Sequence, residues 1–404
     1  MIDTAAADYQ VLVDTVRDFA RAELIEKDRR WDREESSCCT ELRPLYELGL
    51  LALRVPEEAG GLACPVVPYA HIIRELAYAS ASVSVTVGVH NMVCEIVRQF
   101  AQPAVRDEML PKLAQPGNLA AFAISEPNAG SDPASACTRA ERVPGGFRLH
   151  GAKMWVTNGI TGRWFVVLAR LNDVPRAAAP MAHDDRFGSD DGGRSSVDRS
   201  PPRDLCMFLI DAEQHEVRRN PIHGKLGIRG SETADMSLDG AFVPEQNLLG
   251  QPGWGMRIAL AALDGGRIGI ASQAAGIASA ALDLMTGYSQ QREQFGRRIA
   301  DFQAVQWMLA DSKTELMAAQ QLIDRAAWLK DQDRSFTQEA SMAKLYTSEA
   351  ANRIVYRAVQ THGGYGFVNE FRVEQLYRDA RITTIYEGTS EVQRLVIARN
   401  LLRR

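Results

Sequence analysis

The sequence lacks most of the patterns that declare a function outright. Its six cysteines, Cys38, Cys39, Cys64, Cys94, Cys137 and Cys206, form no CxxC pair and no metal-ligand spacing. Free thiols in a reducing cytoplasm are therefore expected, and no metal. No GxGxxG follows a strand pattern, so a Rossmann nucleotide site has no support. P-loop, HExxH and GxSxG are absent too, and His215-Glu216 falls short of a zinc motif. A net charge of -5 gives no reason to expect nucleic acid or an anionic membrane as a partner. The first ten residues, MIDTAAADYQ, have neither a basic start nor an apolar core, so no secretory signal is expected. The longest uncharged stretch, residues 76–94, is interrupted by Ser80, Ser82, Ser84, Thr86, His90 and Asn91, and reads as a buried helix rather than a membrane span.

What is present fits a soluble globular chain of two or three domains: 404 residues, 46% hydrophobic and 24% charged. The N-terminal third is helical in pattern, with stripes at Leu12, Val16, Phe19 and Ala20 and at Leu42, Leu45 and Leu48. RVPEEAGGLAC (54–64) is a turn-rich break, after which a helical pattern runs from about 67 to 100. From about Ala120 the signal becomes short apolar runs dense in Val, Phe, Leu and Ile, at 147–157, 164–169 and 205–210, as in strands. Residues 172–204, rich in Pro, Ala, Asp, Gly, Ser and Arg, read as a mobile surface loop between two strands, with a functional lid as the alternative. From Gly253 four long amphipathic helices follow, the first an Ala/Gly/Ile-rich central one, and they suggest a bundle. The fold class expected is α+β, mainly α: an N-terminal helical domain (1–119), a middle β-barrel-like domain (120–245) and a C-terminal four-helix bundle (246–404).

Five stretches could carry chemistry. FAISEPNAGSD (122–132) packs hydroxyls, permissive residues and two carboxylates into one turn able to offer N–H groups to a polar ligand, or is a plain connecting turn. In KMWVTNG (153–159), strand alternation places Trp155 and Thr157 on one face, where they could cover a planar ring, or it is an ordinary strand. REQF (292–295) sets an arginine near an aromatic, fit for a phosphate and a base, or for a solvated helix end. QTHGGYGF (360–367) lets backbone approach a ligand closely, or caps a helix. RITTIYEGTSEVQR (381–394) places Glu387 on a constrained turn just before a helix that Thr389 or Ser390 can cap, with Val392, Leu395 and Val396 following at helical spacing.

In this order, and with KLGIRGSET (225–233) and LDGGRIGIASQAAGIASAALD (263–283), these stretches resemble the acyl-CoA dehydrogenase family of FAD flavoenzymes over nearly the whole chain, the short-chain and short branched-chain members most closely. The resemblance implies flavin contacts from Phe122, Ile124, Ser125, Gly130, Ser131, Trp155, Val156 and Thr157, with Thr389 and Glu391 also touching FAD. It places Arg292, Phe295, Gln303, Gln360, Gly363 and Gly364 around the pyrophosphate and adenosine, largely across a subunit interface. It assigns acyl-CoA contacts to Ser131, Asp264, Arg267, Tyr386 and Gly388, and the catalytic base to Glu387. It further implies an electron-transfer flavoprotein as partner and a homotetramer or homodimer. Two departures stand out: Asn128 replaces a frequent glycine, and the 172–204 loop is longer than usual.

The chemistry so implied is oxidation of a saturated acyl-thioester to the 2-enoyl-thioester. A carboxylate in water is too weak a base for the α-proton. Desolvation raises its pKa, hydrogen bonds to the thioester oxygen from the base's own N–H and a flavin ribityl hydroxyl stabilise the enolate, and the flavin takes the β-hydride. An oxidase using oxygen directly, a dehydrogenase of carrier-protein-bound acyl groups and a non-catalytic assembly partner are the competing readings. Acyl chain length is not readable, although residues 87–94 are candidates for the pocket floor.

Overall fold

The computed structural model describes residues 4–172, 204–214 and 216–402. Residues 173–203 of the expected loop, and His215, lie outside the described residues. Helix α1 (Thr4–Phe19) continues through a π-helical turn (Ala20–Leu24) into α2 (Ile25–Glu34), followed by α3 (Arg43–Glu47), α4 (Val66–Ala79), α5 (Ala81–Phe100) and α6 (Pro103–Leu113). Val13, Val16, Ala20 and Leu24 recur at helical spacing and bury against Ile72, Ile73 and Leu76 of α4 and Val83 and Val87 of α5. The pattern expected to run unbroken from 67 to 100 is two helices. Ser80 turns extended (φ −150°, ψ 109°), caps α5 by accepting from Val83 N at 3.0 Å, and donates to Asp28 Oδ1 at 2.5 Å.

The middle of the chain forms one eight-stranded sheet: β1 (Ala120–Ala123), β2 (Arg139–Val143), β3 (Gly146–Thr157), β4 (Trp164–Leu171), β5 (Leu205–Asp211), β6 (Val217–Pro221), β7 (Thr233–Pro244) and β8 (Leu248–Leu249), in the order β6-β7-β3-β2-β4-β5-β8 with β1 parallel to β4. Apart from Arg170 and Asp211 near their ends, strands β4 and β5 are apolar because both faces are covered. Trp164, Val166 and Leu168 pack on Val93, Ile96 and Met109 of the helical layer, whereas Phe165, Val167 and Ala169 face Phe147, Leu149 and Phe208. Strand β3 departs from simple alternation. Its register on β7 slips between Lys153 and Val156, and Trp155 adopts φ +61°. The slip turns Lys153 inward, where its Nζ meets Glu126 Oε1 at 2.7 Å, while Glu126 also accepts from Cys137 N and Thr138 N. Burial pulls the Lys153 ammonium down to about 8, with Glu126 opposing.

Helix α7 (Gly255–Gln291) runs through the C-terminal third, followed by a hairpin of β9 (Glu293–Gln294) and β10 (Arg297–Arg298), then α8 (Gln303–Asp331), α9 (Thr337–His362), α10 (Val373–Arg381) and α11 (Ser390–Leu402). By length and composition α7 could cross a membrane, but 83% of its apolar window is buried inside the protein, as befits a core helix. Ala271, Ala274, Ala275, Ala278 and Ala281 belong to the same core as Ala343, Ala351, Ile354 and Ala358 of α9, and small side chains let the two helices close up. On α9 the buried face carries Lys344 and Thr347 while Met342 is exposed; on α11 a sequence expectation inverts, with Ser390 and Gln393 buried and Leu395 57% exposed. Lys344 and Gln393 turn inward because they hold the loop between α10 and α11.

Helix α10 is fastened on three sides. Gln375 donates to Asp28, Arg378 pairs with Asp32, and Asp379 accepts from Ile228 N. The segment that leads to Glu387 is thus tied to the N-terminal helices and to the 225–230 loop.

The Glu126–Lys153 pair generates a stability prediction. Glu126→Gln leaves a fully buried ammonium without its counter-charge and is expected to destabilise by about 3–5 kcal/mol. Calorimetric melting of this variant beside Glu126→Gln/Lys153→Met, which removes the orphaned charge and recovers most of the loss, checks it.

Candidate active site

After α10 the chain makes one 3-10 turn (Ile382–Thr384) and then two consecutive left-handed residues, Glu387 (φ +53°) and Gly388 (φ +86°). A glutamate held there costs about 1–3 kcal/mol, so the surroundings must impose it. Lys344 Nζ donates to Gly388 O at 2.7 Å, and Gln393 Nε2 donates to Glu387 O at 3.1 Å and Gly388 O at 2.9 Å. Thr389 Oγ1 accepts from Val392 N at 3.3 Å and is the cap of α11, while the Ser390 hydroxyl is buried without a partner. Both carbonyls of the turn are therefore engaged. Among the described residues the Glu387 N–H donates to no protein acceptor.

Glu387 borders a cavity of about 320 Å³ between α4, α5, α7 and the loop itself. Its Oε2 is shielded from solvent and has no hydrogen-bond partner. A Cβ on Gly266 would lie 2.5 Å from that oxygen, so only glycine at this point of α7 leaves the carboxylate room. Burial pushes the Glu387 carboxyl up to about 7, against the opposing charges of Arg267 and Lys344. Tyr386 donates its hydroxyl to Gln273 Oε1, which fixes the residue beside the carboxylate. The cavity is lined by buried Val66, Ile73 and Val85 and also by the exposed Arg98, Gln99, Asp333 and Arg334.

The expected site residues divide into groups. Tyr386, Glu387 and Thr157 line this cavity. Asp264 and Arg267 do not; they pair with each other, Thr337 Oγ1 donates to Asp264 at 2.5 Å, and Arg267 reaches Ser341 Oγ at 3.3 Å. A Cβ on Gly388 would strike Gln393 Nε2 at 2.6 Å, so the glycine answers a left-handed turn and that amide rather than keeping a ligand's path clear. Phe122 and Ile124 are half-buried, Gly130 and Ser131 are exposed, and Ser125 O accepts from Met154 N at 2.9 Å, joining the two middle-domain segments. Trp155 is 61% exposed, whereas the Val156 side chain is buried in the sheet and leaves only its backbone to a ligand. Asn128 donates to Ser135 O and serves the turn itself. Thr389 and Glu391 line a separate cleft of about 470 Å³ with Arg353 and Arg381. Arg292, Phe295, Gln303, Gln360, Gly363 and Gly364 line neither space; Arg292 lies 5.6 Å over the Tyr365 ring, which brings REQF and QTHGGYGF together at the surface.

Sequence reasoning missed Gly266, Gln273, Lys344 and Gln393. The Gly265-Gly266 pair inside a helical pattern was a usable signal of close approach. A lysine and a glutamine on helix faces carry no such mark.

Because burial raises the Glu387 pKa, the carboxylate form is lost below about pH 7. Base-dependent turnover is expected to rise with pH through an inflection near 7 in the kcat/KM profile, and Lys344→Met, which removes a stabilising positive charge, is expected to move that inflection upward. Gly266→Ala, which forces the carboxylate aside, is expected to cost about 100-fold in kcat at near-native melting temperature.

The matches to known proteins agree with this geometry. Family models described as the acyl-CoA dehydrogenase N-terminal, middle and C-terminal domains match residues 6–116, 121–184 and 253–402. The short-chain specific acyl-CoA dehydrogenase, mitochondrial, of Mus musculus is 39% identical over 98% of this chain and 90% of its own. The butyryl-CoA dehydrogenase structure from Megasphaera elsdenii superposes with a TM-score of 0.88 at 32% identity, covering 98% of both chains. A glutaryl-CoA dehydrogenase from Mycobacterium smegmatis in complex with FADH2 superposes with a TM-score of 0.86 at 25% identity, covering 98% of this chain and 94% of that one. With a carboxylate whose Oε2 is shielded and unpartnered in a cavity at the junction of its helices, and near-complete coverage by these relatives, the chain belongs to the acyl-CoA dehydrogenase family.

Proposed function

We propose that the protein introduces the α,β double bond of a short or branched acyl-CoA, with Glu387 as the base. The observation that carries this reading is the Glu387 carboxylate: shielded, unpaired and pushed up to about 7, a value suited to a proton acceptor near neutral pH. Glu387 takes the α-proton through its carboxylate. Its own N–H, free of protein acceptors, is the donor for the thioester oxygen, where charge develops as the proton leaves. Lys344 and Gln393 hold the carbonyls of Glu387 and Gly388 and so fix the turn that carries that N–H. The modest volume of the cavity, about 320 Å³, supports a short acyl group.

Enzymes of this family use FAD, and the residues present fit it. A bulge holds the large flat side chain of Trp155 exposed in a strained left-handed conformation, and Thr157, two residues on, lines the wall of the Glu387 cavity. Trp155, Thr157, Ser125, Ser131 and the backbone of Val156 would hold the ring system. When bound, FAD supplies the two-electron acceptor for the β-hydrogen. An electron-transfer flavoprotein is the proposed downstream acceptor. The exposed Phe295, Trp307, Phe367 and Leu395 support assembly with further copies of this chain, in which Arg292, Gln303 and Gln360 would serve a neighbouring subunit's flavin.

Glu387→Gln is expected to bind FAD and acyl-CoA yet bleach the flavin at least about a thousandfold more slowly than wild type under anaerobic mixing. Rapid bleaching by this variant overturns the assignment. Across a panel of acyl-CoAs from four carbons upward, the wild-type rate is expected to peak at short chains.

A further inference from the structure

Glycine at position 266 leaves a space on α7 that two side chains share. A Cβ there would lie 2.5 Å from Glu387 Oε2 and 2.7 Å from Met92 Cε. The carboxylate oxygen and the thioether methyl thus converge on one point of the helix, within about 5 Å of each other. Met92 lines the Glu387 cavity and packs on a core that includes Val93, Ile96 and Val97 of α5 and Ala259 and Ala262 of α7. The backbone of α5 is held at this point. Asn91 accepts from Arg54 N at 3.0 Å and donates to Leu50 O at 2.9 Å and Val87 O at 3.0 Å. The methyl is therefore placed by the side chain's own torsions, and an unbranched thioether has the freedom to fill such a gap.

The other groups around the carboxylate act on it through charge. Burial pushes Glu387 up, and Arg267 from α7 and Lys344 from α9 oppose it. Tyr69 of α4 and Tyr386 of the loop are the titratable groups beside it, and on α5 Glu95 is paired with Arg98. Arg267 is engaged by Asp264, Lys344 by Gly388 O, and neither reaches Oε2, which is shielded without any hydrogen bond. A carboxylate oxygen stays in that state only where apolar atoms keep water off it. Gly266 has no side chain to do so, and Met92 brings its methyl to the same point.

We infer that Met92 is a positioning residue for the reaction: its methyl closes the space above Gly266 and keeps water from Glu387 Oε2. The consequence is chemical. Water that reaches the oxygen stabilises the charged form and weakens the base, whereas a dry carboxylate keeps the basicity that removal of an α-proton requires. Truncation at 92 admits water, and a hydrocarbon of similar volume does not. The inference rests on the proposed role of Glu387 as the base.

The test reads the carboxylate without substrate. Infrared difference titration of FAD-loaded enzyme, with Glu387→Gln as the reference that lacks the group, gives the pH at which Glu387 is half ionised. That midpoint is expected near 7 in the wild type, about one pH unit lower in Met92→Ala, and at the wild-type value in Met92→Leu. Met92→Gln keeps the length of the side chain but brings an amide to the oxygen, and is expected to lower the midpoint as well. The inflection of the kcat/KM profile is expected to move with the infrared midpoint. An unmoved midpoint in both Met92→Ala and Met92→Gln, or an equal fall in Met92→Leu and Met92→Ala, overturns the inference. Midpoints that move as expected in an enzyme whose flavin no acyl-CoA bleaches overturn the proposed function and leave the cover over Glu387 standing.

Discussion

The structure depends on shielding one carboxylate oxygen, Glu387 Oε2, without pairing it. A glutamate in that state is unstable by several kcal/mol relative to a solvated or salt-bridged one, and left to itself would turn outward or find a cation. Here Arg267 is engaged by Asp264 and Ser341, and Lys344 by the Gly388 carbonyl. The nearby cations therefore act on Glu387 at a distance and do not quench it. The left-handed conformation at Glu387 is part of the same arrangement: it aims the side chain at Gly266 while its carbonyl turns back to Gln393.

The remainder of the fold supplies the rigidity this requires. Helix α10 cannot shift without breaking its ties to Asp28, Asp32 and Ile228, so the turn that follows it starts from a fixed point. Burial pushes Asp28 up to about 6 and Asp379 to about 8, and both keep hydrogen-bonded partners. The Glu126–Lys153 pair performs the equivalent task on the sheet side, pinning the 122–132 turn to the bulge that presents Trp155. These buried polar contacts act together with the apolar core that joins α4, α5 and α7 in setting where the cavity walls stand.

Much of this was legible in the residues. Helical stripes, strand-like runs and the Ala/Gly-rich central helix follow from local periodicity, and each sits where expected. The turn before α11, with Thr389 as its cap, was visible for the same reason: caps and turns are written in adjacent residues. The failures share a cause. Ser80 looked like an interruption and is a cap bound to Asp28, 52 positions away in sequence. Leu395 looked like core and is exposed, because the inward face of α11 carries Gln393, which holds the loop at 387. Strand alternation would have put Lys153 beside Trp155, and the slip against β7 separated them.

By itself the sequence determined the order of helical, sheet and helical segments, the residue types available for chemistry, and the turn on which the base sits. These are local matters of period, capping and permissible backbone angles. The tertiary structure alone decided that Glu387 is unpaired, that Gly266 makes room for it and that Arg267 faces Asp264. Each is a relation between segments distant in the chain, fixed by packing and desolvation, and no spacing of residues along one strand or helix encodes it.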